Sequence, residues 1–268
     1  ANLRRRDVNT VGLMVLGDPM KAMSDPFLLS ILGAVADALD THGMNLLLSR
    51  IRTEDPDHLS SLVDSGQVGG LIVIGRLTWH DRLNHLAATG LPLAVWGACL
   101  PDALYPVVGG DNLRGGYEAT RHLIGQGCPE VRLRHQGYAQ ALAEAGLELD
   151  PRLHQAFLFG DTRIREVIDG WLDQRASFDA VFATSDVTAI SIMGALGERG
   201  VSVPSQVKVV GYDDIAISAH LHPSLSSVRQ PTRDAGAALV ELLMERMAGQ
   251  PSRAILLPTE LIRRESSA

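Results

Sequence analysis

The chain has 268 residues, 46% apolar and 21% charged, with a formal net charge of −7. That length suffices for one large domain or for two compact lobes with a core each, and the acidic balance excludes polyanion binding by bulk charge. Two cysteines, Cys99 and Cys128, without zinc or redox spacing, read as small buried hydrophobes of a reducing compartment, and the absence of a secretory leader or an apolar stretch of spanning length places the expected protein in the cytoplasm, off the membrane.

Thr10–Leu16 is a short apolar run that predicts the first strand. A polar loop over Gly17–Asp25 leads to Pro26 and an apolar-periodic helix reaching Thr41. Asp25 can accept from the free N–H groups of the first turn, proline is tolerated there, and Gly43 fits the stop. Met44–Ser49 reads as a strand, Pro56–Ser65 as a helix, Gly70–Ile74 as a strand, Trp79–Thr89 as a helix and Pro92–Trp96 as a strand. Pro106–Gly109 is a further strand running into Asp111–Asn112, followed by a helix over Gly116–Gly125. Strands alternating with helices of this length predict right-handed βαβ units and a mostly parallel sheet.

After Gly127–Cys128 the rhythm breaks: a strand is due, but Pro129–Val131 runs directly into a helical stretch over Leu133–Ala145. Two helices in succession mean either an unusual lobe or, the preferred reading, about ten residues (one strand and its loop) missing at this place. Alternation resumes with a strand at Gln155–Phe159 and a helix at Thr162–Arg175. The segment Phe178–Asp214 is the clearest in the chain: an apolar run ending in Ser185–Asp186, a helix closed by Gly200, and a second apolar run ending in Asp213–Asp214. Leu225–Gln230 is extended, Pro231–Met247 is a long amphipathic helix ended by Gly249, and Ala254–Pro258 and Thr259–Arg263 are extended again.

In an open α/β sheet, ligands bind at the carboxyl ends of the strands. Collected there are Asp18, Asp25 and Phe27, Arg76 with Trp79, Trp96, Asp111 with Asn112, Asp161, Ser185 with Asp186, Asp213 with Asp214, and Arg229 with Gln230. Carboxylates, amides and arginines offer directional hydrogen bonds and the aromatic rings offer flat apolar faces, the combination a neutral polyol such as a sugar requires. Several carboxylates in one cleft need partners, and Arg134 and Arg229 are placed to balance them. Taken singly, Asp25, Asp111 and Ser185 are ordinary helix caps; their convergence on one edge is what points to binding. Enzyme signatures are poor. G-x-S-x-G, H-E-x-x-H and Walker loops are absent, His220 and His222 flank Leu221 without metal-site spacing, and no cofactor or metal is expected.

The residues resemble the effector-binding module of the lactose-repressor-type (LacI/GalR) transcription regulators, whose fold is shared with periplasmic sugar-binding proteins. The resemblance runs from Asn9 onward and rests on DPFLLSILGAVADAL, GGLIVIG, GGDNLRGGYEATRHLIGQG, RLRHQGYAQALAEAGL, FDAVFATSDVTAI, GERGVSVPSQVKVVGYDD, HPSLSSVRQPTRDAG and ILLPTELIRRES in that order. It implies an α/β fold of two parallel-sheet, Rossmann-like lobes joined by three crossovers, of the type I periplasmic-binding-protein kind. The implied lobes are 9–126 plus 231–255 and 127–228 plus 256–265. Residues 1–8, with Arg4–Arg6, are implied to be a remnant of the linker to a missing helix-turn-helix headpiece.

The resemblance further implies a small effector, a sugar or glucoside, in the interlobe cleft. Its expected contacts are Phe27, Trp96, Asp111, Arg134, Asp161, Ser185, Asp213 and Gln230, with Arg134 and Asp213 as a pair gripping sugar hydroxyls. Position 161 often carries an aromatic lid in the family, so Phe27 and Trp96 are expected to supply the apolar face instead. A homodimer is implied, with the 216–223 loop at its interface, as is operator DNA reached only through the headpiece. A periplasmic sugar-binding protein serving a transporter would share the fold; the basic junction and dimerisation favour the regulator over it. An aspartate-pair enzyme ranks last, having no nucleophile, metal or cofactor motif behind it.

Overall fold

The computed structural model describes residues 8–15, 24–50, 58–75, 79–126, 135–147, 163–174 and 178–268. The chain divides into two units, Ala1–Gly110 with Pro231–Leu257 and Asp111–Gln230 with Pro258–Ala268, and so passes from one to the other three times. The strand expected at Gln155–Phe159 and the break after Cys128 lie outside the described residues.

In the first unit the strands are β1 (Thr10–Val15), β2 (Asn45–Arg50), β3 (Gly70–Ile74), β4 (Leu93–Trp96), β5 (Val107–Gly110) and β9 (Ala254–Leu257). They form a sheet in the order β2-β1-β3-β4-β5-β9 with every described pair parallel. The order reverses between β1 and β3, the switch point that leaves a crevice at the carboxyl ends of the strands. A parallel strand is covered on both faces, so its side chains alternate between two apolar layers and the sequence reads as an unbroken apolar run. Ile72 and Ile74 of β3 face the layer built with α1 (Pro26–Thr41) and α8 (Thr232–Met247), where Ile31, Val35, Leu39, Leu239 and Leu243 are fully buried. Leu71 and Val73 face the opposite layer, closed by Leu59 of α2 (His58–Asp64) and Leu83 and Leu86 of α3 (His80–Ala88). The expected helix stops hold: Gly43, Gly200 and Gly249 have φ of +64°, +73° and +79°, the left-handed region open to glycine.

The second unit contains α4 (Asn112–Gly125), α5 (His135–Glu144), α6 (Ile164–Asp173), β6 (Ala180–Phe182), α7 (Asp186–Glu198), β7 (Lys208–Asp213), β8 (Ser226–Arg229) and β10 (Glu260–Ile262). Its described sheet runs β10-β8-β7-β6, with β6, β7 and β8 parallel and β10 antiparallel to β8. The sheet is mostly parallel, as expected, and β10 is its antiparallel member. The chain leaves this unit beyond the carboxyl end of β8 and returns just before β10, and the register sets Glu260 beside Arg229. A strand that starts beside the exit of its neighbour can only run back along it.

A second difference concerns α4, expected to close the first lobe at residue 126. It belongs to the second unit, which begins at Asp111. Its buried Ala119 and Leu123 pack with Leu142, Phe182, Val210 and Val228, and the Tyr212 hydroxyl donates to Asn112 Oδ1 at 3.0 Å. The chain end closes the same unit: Ser266 Oγ donates to the Val209 carbonyl at 2.6 Å and accepts from the Ser226 N–H at 2.9 Å.

In the first unit, Gly236 lets α8 approach α1 closely, since a β-carbon there would stand 2.5 Å from the Ala34 carbonyl carbon and 2.6 Å from its Cβ. Gly236→Ala is therefore expected to lower the unfolding free energy by about 1–3 kcal/mol, despite alanine's better helix propensity. A shift of the urea midpoint to lower concentration would show it; an unchanged midpoint would mean that the two helices separate at no cost.

Candidate functional site

The expected contacts fall on both units. In the first, Trp96 is the last residue of β4 and Phe27 stands in the first turn of α1. The rings lie 6.2 Å apart at an interplanar angle of 48°, within the range of a tilted aromatic pair. Phe27 is held there because α1 starts on Asp25, whose carboxylate accepts from the N–H groups of Phe27 at 2.7 Å and Leu28 at 3.4 Å. Burial pushes the Asp25 carboxyl up while these two N–H groups pull it down. Trp79 is no platform: its ring is buried in the α3 layer, with the Arg82 guanidinium 4.6 Å over it.

In the second unit, β6, β7 and β8 lie side by side in parallel, so their carboxyl ends come to one edge. The segment after β6 carries Ser185, β7 ends in Asp213, and Gln230 follows β8. Asp213 and Gln230 are in direct contact, the Gln230 Nε2 donating to Asp213 Oδ1 at 2.7 Å. Ser185 caps α7, accepting from the Thr188 N–H at 3.2 Å, and Asp111 caps α4, accepting from the Arg114 N–H at 3.0 Å. The capping roles are thus real. They also fix where each remaining lone pair points, because the cap aligns the side chain with the first turn of its helix. Arg134 and Asp161 lie outside the described residues.

Arg229, expected to balance strand-end carboxylates, does so at Asp214: its Nε donates to Asp214 Oδ2 at 2.7 Å, and Arg264 Nη2 donates to Oδ1 at 2.6 Å. Asp213 and Asp214 have φ of +105° and +52°. Non-glycine residues in that region cost on the order of 1–3 kcal/mol each and persist where the surroundings over-determine them.

A group the sequence reading noted but left out of the site proves central to this corner. Asp186 is completely buried. Its Oδ2 accepts from the Ile215 N–H at 2.9 Å and the Ser218 hydroxyl at 2.6 Å, and its Oδ1 accepts from the Ser227 hydroxyl at 2.5 Å. Burial raises its carboxyl to about 6, against the pull of these donors. The signal available in the sequence was an aspartate directly after a capping serine, which reads equally well as a first-turn acid on the helix dipole.

Among the described residues no group of histidine, cysteine and acidic side chains could hold a metal ion, and no helix is long and apolar enough to cross a membrane.

Comparison with known proteins places this geometry. The family profile for periplasmic binding protein-like domains matches residues 116–267. The transcriptional regulator CelR of Thermobifida fusca is 31% identical, the alignment covering 97% of this chain and 82% of CelR. The chain belongs to the LacI family of transcriptional regulators. It is a ligand-sensing domain of that family, and the transporter alternative gives way to it. The repressor PurR of Pasteurella multocida is 29% identical over 99% of this chain and 83% of its own length. Among solved structures, the CelR–cellobiose complex superposes with a TM-score of 0.87 at 30% identity, covering 96% of this chain and 84% of that one. A LacI-family regulator from Sanguibacter keddieii superposes with a TM-score of 0.84 at 27% identity, covering 98% and 100%. The alignment with CelR spans 282 positions, more than the 268 residues of this chain, so CelR carries residues within the matched span that this LacI-family member lacks.

The Asp186 carboxyl makes stability depend on pH with a definite sign. Its folded value of about 6 lies above the ordinary 3.8, so the folded state holds the proton more tightly. The associated stabilisation is fully present below about pH 4 and is lost as pH rises through about 6. Asp186→Asn lacks this dependence. Between pH 4 and 7 the difference in unfolding free energy between variant and wild type is expected to move in favour of Asp186→Asn by about 2 kcal/mol. Parallel urea titrations at pH 4, 5.5 and 7 check it; a pH-independent difference would mean that the buried carboxyl titrates normally.

Proposed function

We propose that the chain senses a sugar, a glucoside of the cellobiose class, and that it acts in the cytoplasm without chemistry on its ligand. The observation that carries the reading is the Asp213–Gln230 pair at the carboxyl edge of β7 and β8, a carboxylate and an amide poised for vicinal hydroxyls. Ser185 and Asp111 add acceptors in the same unit, and the Phe27–Trp96 pair supplies an apolar face for the C–H side of a pyranose. Arg134 and Asp161 are assigned to the same effector. The likeness to CelR, whose solved structure holds cellobiose, supports the sugar over other ligands.

The effector shifts the protein only by its difference in affinity between two conformations. In the whole regulator that difference is read out by a helix-turn-helix part on operator DNA, the part named in the relatives' descriptions. Calorimetric titration with cellobiose, other glucosides, monosaccharides and a purine base tests the reading. Asp213→Ala and Trp96→Ala are each expected to weaken the preferred sugar about 10–100-fold, the equivalent of losing a charge-assisted hydrogen bond or a buried ring contact. Binding of the purine with no response to any sugar would overturn the proposal.

We further propose a homodimer through the face around residues 216–223. Ile190, Met193 and Gly194 of α7, with Leu221 and Pro223, line a groove of about 510 Å³, and Ile217 beside it is 49% exposed. An apolar stripe of this kind is what a second copy covers in a two-fold contact. Sedimentation is expected to give a dimer for the wild type and a folded monomer for Met193→Asp; a wild-type monomer at tens of micromolar (roughly the range in which weak two-fold contacts dissociate) would exclude this face.

A further inference from the structure

We infer that Asp186 is a positioning residue for effector binding, acting through the backbone corner that follows β7. The inference rests on the reading of Asp213 and Gln230 as effector contacts and names the group that holds Asp213 in place.

The corner Asp213-Asp214-Ile215 turns through two non-glycine residues with positive φ, a conformation that needs external support. One backbone amide there is satisfied by the Asp186 carboxylate, and a second by a hydroxyl held on that carboxylate. The Ile215 N–H donates directly to Asp186 Oδ2 at 2.9 Å. The Asp214 N–H donates to Ser227 Oγ at 3.0 Å, and that hydroxyl passes its own proton to Asp186 Oδ1 at 2.5 Å. Ser218 Oγ completes the set at 2.6 Å, tying the short helical turn Ala216–His220 to the same carboxylate. Asp186 begins α7 one residue after Ser185 and reaches β8 and the corner beyond β7 from there, so one side chain sets the spacing between Ser185, Asp213 and the segment after it.

The seat is tailored on its far side too. Gly211 of β7 faces the carboxylate so closely that a β-carbon would lie 2.2 Å from Asp186 Oδ1. The acidic side chain of Asp214 is the charged neighbour that opposes ionisation of Asp186, and it is itself gripped by Arg229 and Arg264. The two acids therefore divide the work: Asp214 anchors the corner outward to the arginines, and Asp186 anchors it inward to α7 and β8. Asparagine at 186 retains an acceptor for Ile215 N–H and can donate to Ser227, whereas alanine leaves the Ile215 N–H without its acceptor and the Ser227 hydroxyl that receives the Asp214 N–H without its anchor.

The test uses the same chain at pH 7.5 with cellobiose as probe and amide hydrogen exchange of residues 213–220 as a readout independent of the probe. Asp186→Ala is expected to exchange faster at Asp214 and Ile215 by about 100-fold and to bind cellobiose more than 10-fold more weakly, while Asp186→Asn restores both to within about fivefold of wild type. Ser227→Ala, which removes only the relay, is expected to accelerate Asp214 selectively and keeps the test alive should Asp186→Ala not fold. If wild type fails to bind cellobiose, the cellobiose-class reading fails, the sugar that binds in the titration above replaces it as probe, and the exchange data still decide whether Asp186 holds the corner. Wild-type exchange at Asp214 and Ile215 in folded Asp186→Ala, or in Ser227→Ala where the former does not fold, would overturn it. So would wild-type affinity in a variant whose corner has been loosened.

Discussion

Removing a carboxylate from water costs several kcal/mol unless donors replace the hydration it loses. Asp186 is fully buried, and three donors from two stretches of chain meet it: the Ile215 amide and Ser218 hydroxyl from one, and the Ser227 hydroxyl from the other. Its carboxyl nevertheless stays near 6, so these donors only partly offset burial. A hydrophobic side chain of similar size would fill the space but would leave the Ile215 N–H without an acceptor and the corner after β7 without a tether. The second unit thus retains an electrostatically awkward group because it organises the edge that carries Asp213, Gln230 and Ser185.

Around that tether the fold uses an economical device repeatedly. Three described helices that follow a strand start on a polar residue whose side chain caps them: Asp25, Asp111 and Ser185. A cap has one oxygen committed to the helix and further lone pairs left over. Each parallel sheet brings its own strand ends to one edge, where leftover lone pairs can act as directional acceptors. A capping role and the ligand-facing role proposed for these positions are therefore compatible.

Much of this was legible beforehand. The parallel strands announced themselves as unbroken apolar runs because both of their faces are covered, and the glycine stops and the Asp25 and Asp111 caps were readable because they depend on local backbone chemistry. The pairing of Phe27 with Trp96 and of Asp213 with Gln230 brought together residues first selected only as strand-end neighbours. Less legible were the ownership of α4, which depends on packing of Ala119 and Leu123 against strands some sixty and more residues later, and the direction of β10, which depends on where the chain re-enters the second unit. Arg229 does balance a strand-end carboxylate, but which of the neighbouring acids it takes, Asp214 rather than Asp213, was not readable from sequence order.

The sequence by itself determined the class of fold, the family and the edge on which polar side chains collect, because these follow from periodicity and from the short-range chemistry of caps and turns. Only the tertiary structure decided which acid is held by arginines and which by hydroxyls and a backbone amide. Asp186 and Asp214 each follow another polar residue at the end of an apolar run. What separates them is long-range: β8 supplies Ser227 to one, and Arg229 and Arg264 reach the other. Hydrogen-bond partners drawn from stretches dozens of residues apart leave no local trace in the chain that they join.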